Sequence, residues 1–144
     1  MGEFPGKVRI IFRHFPLAGH PWSPLAHRAA ECANKAGHFW DYYDRLYNEQ
    51  QNWSGMANPT QTFFEYAKDY GMNLDQFAQC IVNPETTQII LKERQEGERL
   101  KITSTPTFFI NGDNRFAGAV ELQNKGIEFI RQVLNSSQEK KTAA

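Results

Sequence analysis

Two cysteines, four histidines and one proline-centred run are the residues through which this chain could do chemistry. Cys32 and Cys80 lie far apart and no Cys-x-x-Cys occurs anywhere, so the pair is neither a zinc framework nor a dithiol redox motif. Read from the residues alone, they are either two buried inert thiols or one structural disulfide. Neither has a visible activating neighbour, which argues against redox sensing. His14, His20, His27 and His38 fit no common zinc spacing, and His20 beside Pro21 reads as a turn residue. Asp41 and Asp44 read as a solvated helix face. There is no Ser/His/Asp arrangement and no glycine-rich phosphate loop, so the residues call for no metal and no cofactor.

The remaining chemical word is Thr103-Ser104-Thr105-Pro106-Thr107-Phe108-Phe109-Ile110-Asn111-Gly112. A small β-branched residue, a proline, a short apolar run and an Asn-Gly turn describe a strand entered through an X-Pro bend.

The 144 residues are enough for one domain with a real core. Lys plus Arg number 16 and Asp plus Glu number 16, so net charge gives no reason to expect nucleic acid or an anionic membrane as partner. No apolar run approaches the roughly 20 residues that span a bilayer. Met1 to Lys7 holds no apolar signal-peptide core. The eleven Phe, five Tyr and three Trp fall mostly at helical spacing, which assigns Trp22, Trp40 and Trp53 to core rather than to a ligand box.

Several elements must position these residues. Val8 to Phe15 is β-branched and aromatic, and reads as a strand ended by Pro16. Ser23 is expected to cap a helix with Pro24 in its first turn and a small-residue face of Leu25, Ala29, Cys32, Ala33 and Ala36, ended by Gly37. A second helix is expected over His38 to Gln50, with the stripe Phe39, Trp40, Tyr43, Leu46 and Tyr47. After a polar loop, Thr60 caps a third helix carrying Phe63, Phe64, Ala67 and Tyr70. Asn73 caps a fourth with Leu74, Phe77, Ala78 and Ile81, and Thr86 to Leu100 forms a fifth. Arg115 to Ala119 is the hairpin partner of the Pro106 strand. Glu121 to Leu134 closes the fold, and Ser136 to Ala144 is expected to fray.

This order resembles the DsbA-like thiol–disulfide oxidoreductases, an α/β thioredoxin-like fold with an inserted helical subdomain. The resemblance rests on Gly6-Lys7-Val8-Arg9-Ile10-Ile11-Phe12-Arg13-His14-Phe15-Pro16-Leu17, on His20-Pro21, on Ala29-Ala30-Glu31-Cys32-Ala33, and on Phe39-Trp40 with Leu46. It continues through Phe77 and Cys80 to the run from Ser104 to Gly112, so it covers nearly the whole chain. It implies a single domain over 1–144 with a helical insertion at about 22–100. Members of that family carry, ahead of the position matching Gly6, a first core strand and a Cys-x-x-Cys at a helix N-terminus. There the helix dipole lowers the first thiol's pKa and the second cysteine resolves the mixed disulfide. In these terms the chain is an N-terminally truncated version of the fold. Met1-Gly2-Glu3-Phe4 would then be a cloning remnant or an alternative start.

The catalytic role therefore has no residue to fall on. What the resemblance does carry over is Thr105 and Pro106. It implies a cis bond before Pro106 and strand-like pairing of the Thr105 backbone with an extended polypeptide substrate. Cys32 and Cys80 fall on inward faces of neighbouring predicted helices, which favours a structural disulfide, worth about 4 kcal/mol in the chain-entropy model, over two inert thiols. The expected function is that of a disulfide-exchange domain, inactive for want of a dithiol. The alternative is a non-catalytic module that binds a peptide or partner subunit. A small-molecule transferase or isomerase of the glutathione-dependent branch ranks behind both, since that branch uses a reactive Ser or Cys near its start and this chain begins Gly2-Glu3-Phe4-Pro5. Unpaired strand edges imply a homodimer, and the family implies an extracytoplasmic, periplasmic or secreted location.

Overall fold

A computed structural model describes residues 3–142, with side chains as far as Ser137. Met1, Gly2, Ala143 and Ala144 lie outside the described residues, as does that part of the proposed start and tail. The chain forms two compact units, one of Arg13–Gly97 and one of Met1–Phe12 with Glu98–Ala144.

The helical unit holds α1 (Ser23–Lys35), α2 (Phe39–Asn48), α3 (Gln50–Trp53), α4 (Thr60–Asp69), α5 (Leu74–Val82) and α6 (Pro84–Arg99). Several ends differ by a residue or two from the sequence expectation. Trp22, not Ser23, stands at the N-cap of α1, and no side chain caps it. Pro59, not Thr60, occupies that place on α4, where Asn58 Oδ1 accepts the Thr60 N–H at 3.0 Å. Asn73 does cap α5, accepting the Gln76 N–H at 2.9 Å. Pro84 opens α6 two residues early: its missing N–H costs nothing in a first turn, and Asn83 Oδ1 accepts the Glu85 N–H at 2.8 Å.

The core lies among α1, α2, α4 and α5. Ala29 and Ala33 of α1 are fully buried, so α2 and α5 approach closely. The stripe stops there, because Ala36 is exposed. Tyr42, Leu46, Trp53, Phe63, Tyr66, Phe77 and Ile81 fill the interior. The polar tips are satisfied: Tyr42 donates to Phe63 O at 2.8 Å and Trp53 Nε1 donates to Leu46 O at 2.9 Å. Trp40 departs from its expected core place and is 47% exposed. Helical geometry turns Trp40 with Tyr47 away from the Tyr42–Leu46 face, at about 100° per residue.

The second unit contains β1 (Thr107–Ile110) and β2 (Asn114–Ala117), antiparallel with Phe108 opposite Phe116. Asn111 (φ 48°) and Gly112 (φ 96°) supply the positive dihedrals of the connecting turn. After the short α7 (Ala119–Glu121), a π-helical turn over Leu122–Gly126 leads into α8 (Ile127–Thr142). Gly126 is buried there, and a Cβ on it would meet Leu122 Cδ1 at 2.7 Å and Phe116 Cγ at 3.4 Å. Phe116 packs on Phe129 with ring centroids 6.0 Å apart.

Two expectations fail in this part of the chain. Residues 136–142 are helical rather than frayed; Ser136 and Ser137 hydroxyls donate back to Gln132 O and Val133 O. Residues 8–15 form no strand, and the sheet among the described residues has two strands only. β-propensity favours the backbone shape, but a strand also needs a neighbouring strand, and no ladder to residues 8–15 occurs among the described residues.

Candidate functional site

The β1 end is built by the bend that precedes it. The Thr105–Pro106 peptide is cis, and both residues are exposed. Thr107 Oγ1 donates to Ser104 O at 2.6 Å, tying the bend to the strand. Gly118 N–H donates to Pro106 O at 2.7 Å and extends the β1–β2 register one pair further. Antiparallel pairing alternates. Phe108 and Ile110 therefore direct their backbone groups, and Pro106 its C=O, toward β2, whereas Thr107 and Phe109 direct theirs to the opposite edge; Thr105 lies ahead of the strand, across the cis bond. No strand covers that edge among the described residues. Glu121 Oε2 accepts the Ala117 N–H at 2.7 Å at the far end of β2. That bond, with Lys125 as a second donor, holds its carboxyl below the usual carboxylate range.

Cys32 and Cys80 are joined by a disulfide across α1 and α5, with Cα atoms 5.8 Å apart. Cys32 is 3% exposed and Cys80 half-buried, so the bond lies at the margin of the helical core. Thr86 Oγ1 is 3.5 Å from Cys80 Sγ and accepts from Lys35 Nζ at 3.4 Å. The disulfide sulfur carries no proton, so the Thr86 hydroxyl is the donor in its contact. Neither sulfur sits at a helix N-terminus.

A third constellation was missed in the sequence. His14, 3% exposed, places Nδ1 2.9 Å from His27 Nδ1 and Nε2 3.4 Å from Glu31 Oε2. Glu93 on α6 accepts the His14 backbone N–H at 2.6 Å and binds Arg13 at 3.0 Å. Asn34 donates to Glu31 at 3.3 Å. A single proton occupies the contact between the two Nδ1 atoms, since two imidazoliums could not face each other there. Burial, and secondly His14, pushes His27 down to about 4. The cluster ties residues 13–14 to α1 and α6. The signal available was His27 and Glu31 at i and i+4, beside the small-residue face of α1. His20 and His38 are not part of it; His38 Nδ1 lies 3.8 Å from Asp41. Among the described residues no group of three or more His, Cys, Asp or Glu could hold a metal ion, and no helix is long and apolar enough to cross a membrane.

Comparison with known proteins adds an independent line. The family model described as Thioredoxin matches residues 4–141. A "Probable disulfide bond formation protein D" of Bacillus anthracis is 25% identical over 112 residues, covering 75% of this chain and 51% of that protein. "Na(+)/H(+) antiporter NhaA 3" of Salinispora tropica is 31% identical over 107 residues, 74% of this chain but 16% of that protein. An NhaA 1 of Mycobacterium sp. (strain KMS) is 35% identical over 116 residues, 18% of its length. The chain thus spans less than a fifth of the antiporter relatives and about half of the disulfide-formation relative. No solved structure matches.

Proposed function

This chain belongs to the thioredoxin family, and we propose that its residues provide the polypeptide-binding side of a DsbA-like disulfide-exchange fold, without a dithiol of their own. The observation that carries this reading is the open edge of β1. There the exposed Thr105–Pro106 bend leads directly into the outward backbone groups of Thr107 and Phe109. An extended polypeptide adds to such an edge through main-chain bonds, with little demand on its sequence. The helical unit, closed by Cys32–Cys80, is a scaffold in this reading and not a redox centre.

Phe109→Pro tests the edge. It removes one outward N–H and leaves the inward-pointing β1–β2 bonds in place. A reduced, alkylated, unfolded polypeptide followed by fluorescence anisotropy should bind the unaltered chain and lose about tenfold or more in affinity to the variant. Equal binding by both proteins would refute the edge as the site. An extracytoplasmic location accompanies this reading, supported by the disulfide and by the relative named for disulfide bond formation. Mass analysis after alkylation without reductant checks it: the native protein should take up no label at Cys32 or Cys80.

A further inference from the structure

Two exposed features play no part in the β1 edge, one aromatic and acidic, the other basic and aliphatic. On α2, Trp40 is 47% and Tyr47 59% exposed. Their rings form a ribbon through Tyr43, with centroids 5.6 Å and 4.8 Å apart. Asp44 and Asp41 border it, and beside them a shallow groove is lined by Asp41, Asp44, Arg45, Asn48, Glu49 and Tyr70. The one guanidinium of that groove, Arg45, is taken up by Glu49 at 2.9 Å and Asp69 at 2.7 Å, and lies 4.2 Å over the Tyr66 ring. His38 near Asp41 is the other basic group. Carboxylates therefore outnumber cations along an exposed aromatic face.

The second feature is the run of residues 7–11, Lys-Val-Arg-Ile-Ile, which holds two cations and no carboxylate. Lys7, Arg9 and Ile11 are exposed at alternate positions while Val8 is half-buried, and Ile10 and Ile11 are 48% and 56% exposed. No ladder holds this run among the described residues.

We propose that the chain self-associates, residues 7–11 of one copy docking on the α2 aromatic face of a second. The two surfaces are complementary in charge, and both expose apolar side chains. An extended run of five residues covers about 13 Å at about 3.3 Å per step, close to the roughly 10 Å that seven helical steps put between Trp40 and Tyr47. Arg9 would stack on the tyrosine rings next to Asp44, and Ile11 would cover Trp40. Each copy offers both surfaces, so each can act as donor of the run and as acceptor of it.

Sedimentation equilibrium of the full chain over a wide concentration range tests this. A concentration-dependent dimer, weakened by salt, is expected. Asp44→Lys and Arg9→Glu should each weaken it about tenfold or more. The double variant should recover it, and so should an equimolar mixture of the two single variants. Urea midpoints of all four proteins check that the fold is intact. A monomer at every concentration would overturn the proposal. So would a dimer indifferent to both reversals, the result if two copies pair strand to strand instead.

Discussion

The helical unit and the hairpin unit solve the burial problem differently. In the helical unit Tyr42, Phe63, Ala29, Ala33 and Ala67 are wholly enclosed, buried polar tips find partners, and a disulfide joins two of the helices. In the hairpin unit Gly126 is the only buried residue among those described; the apolar side chains of β1, β2 and α8 reach half-burial at most. A small sheet with a free edge cannot bury much surface, and a two-stranded ribbon is marginal without further packing. The stability of the chain is therefore concentrated in the unit that lacks the proposed binding edge. The edge itself sits on the less enclosed part, where backbone groups remain available to a ligand.

Substitutions that separate the units sharpen this contrast. The largest effect is expected from Phe63→Ala, which empties a site packed by Trp53 at 5.2 Å between ring centroids and should cost about 3–5 kcal/mol in urea unfolding. Replacing both Cys32 and Cys80 by Ala should cost roughly 2–4 kcal/mol, since their sequence separation of 48 makes the unfolded chain lose considerable freedom when linked. Phe116→Ala should cost only roughly 1–2 kcal/mol, because Phe116 is half-buried to begin with, and amide exchange should quicken in β1 and β2 while α1 and α5 stay protected. Equal losses from Phe63→Ala and Phe116→Ala would abolish the distinction between the units.

Acid offers a way into the helical unit without mutation. The folded pKa of His27, about 4, lies below its ordinary value of 6.5. The unfolded chain therefore takes up the proton first as pH falls. Stability from this group is fully present above about pH 6.5 and declines between about 6.5 and 4. The total loss is about 3 kcal/mol, with no further change below that window. Urea midpoints measured across the window should follow that slope, and His27→Gln should flatten it.

Much of the helical unit was legible because its signals are local. The apolar spacing of α1 and α5 identifies the faces that bring Cys32 and Cys80 to bonding distance, Asn73 marks a cap, and Asn111-Gly112 marks the hairpin. What escaped depends on distant partners. Residues 8–15 have strand composition, but composition cannot supply a neighbouring strand, and none pairs with them among the described residues. Trp40 lies at helical spacing with core residues, yet the buried arc of α2 is only wide enough for Tyr42 and Leu46. The His14–His27–Glu31–Glu93 cluster joins a loop and two helices that only the tertiary fold brings together. Pro106 and Thr105 were legible as a bend from their own residues, but the direction of the open edge required the register with β2.

The most direct measurement is turnover in an insulin-reduction assay by this chain beside its Cys32→Ala/Cys80→Ala variant, on samples that bind unfolded polypeptide. A binding surface without an attacking thiolate predicts the same background rate for both. Turnover above background that disappears with the two cysteines would contradict the account, because it would make Cys32–Cys80 the redox centre.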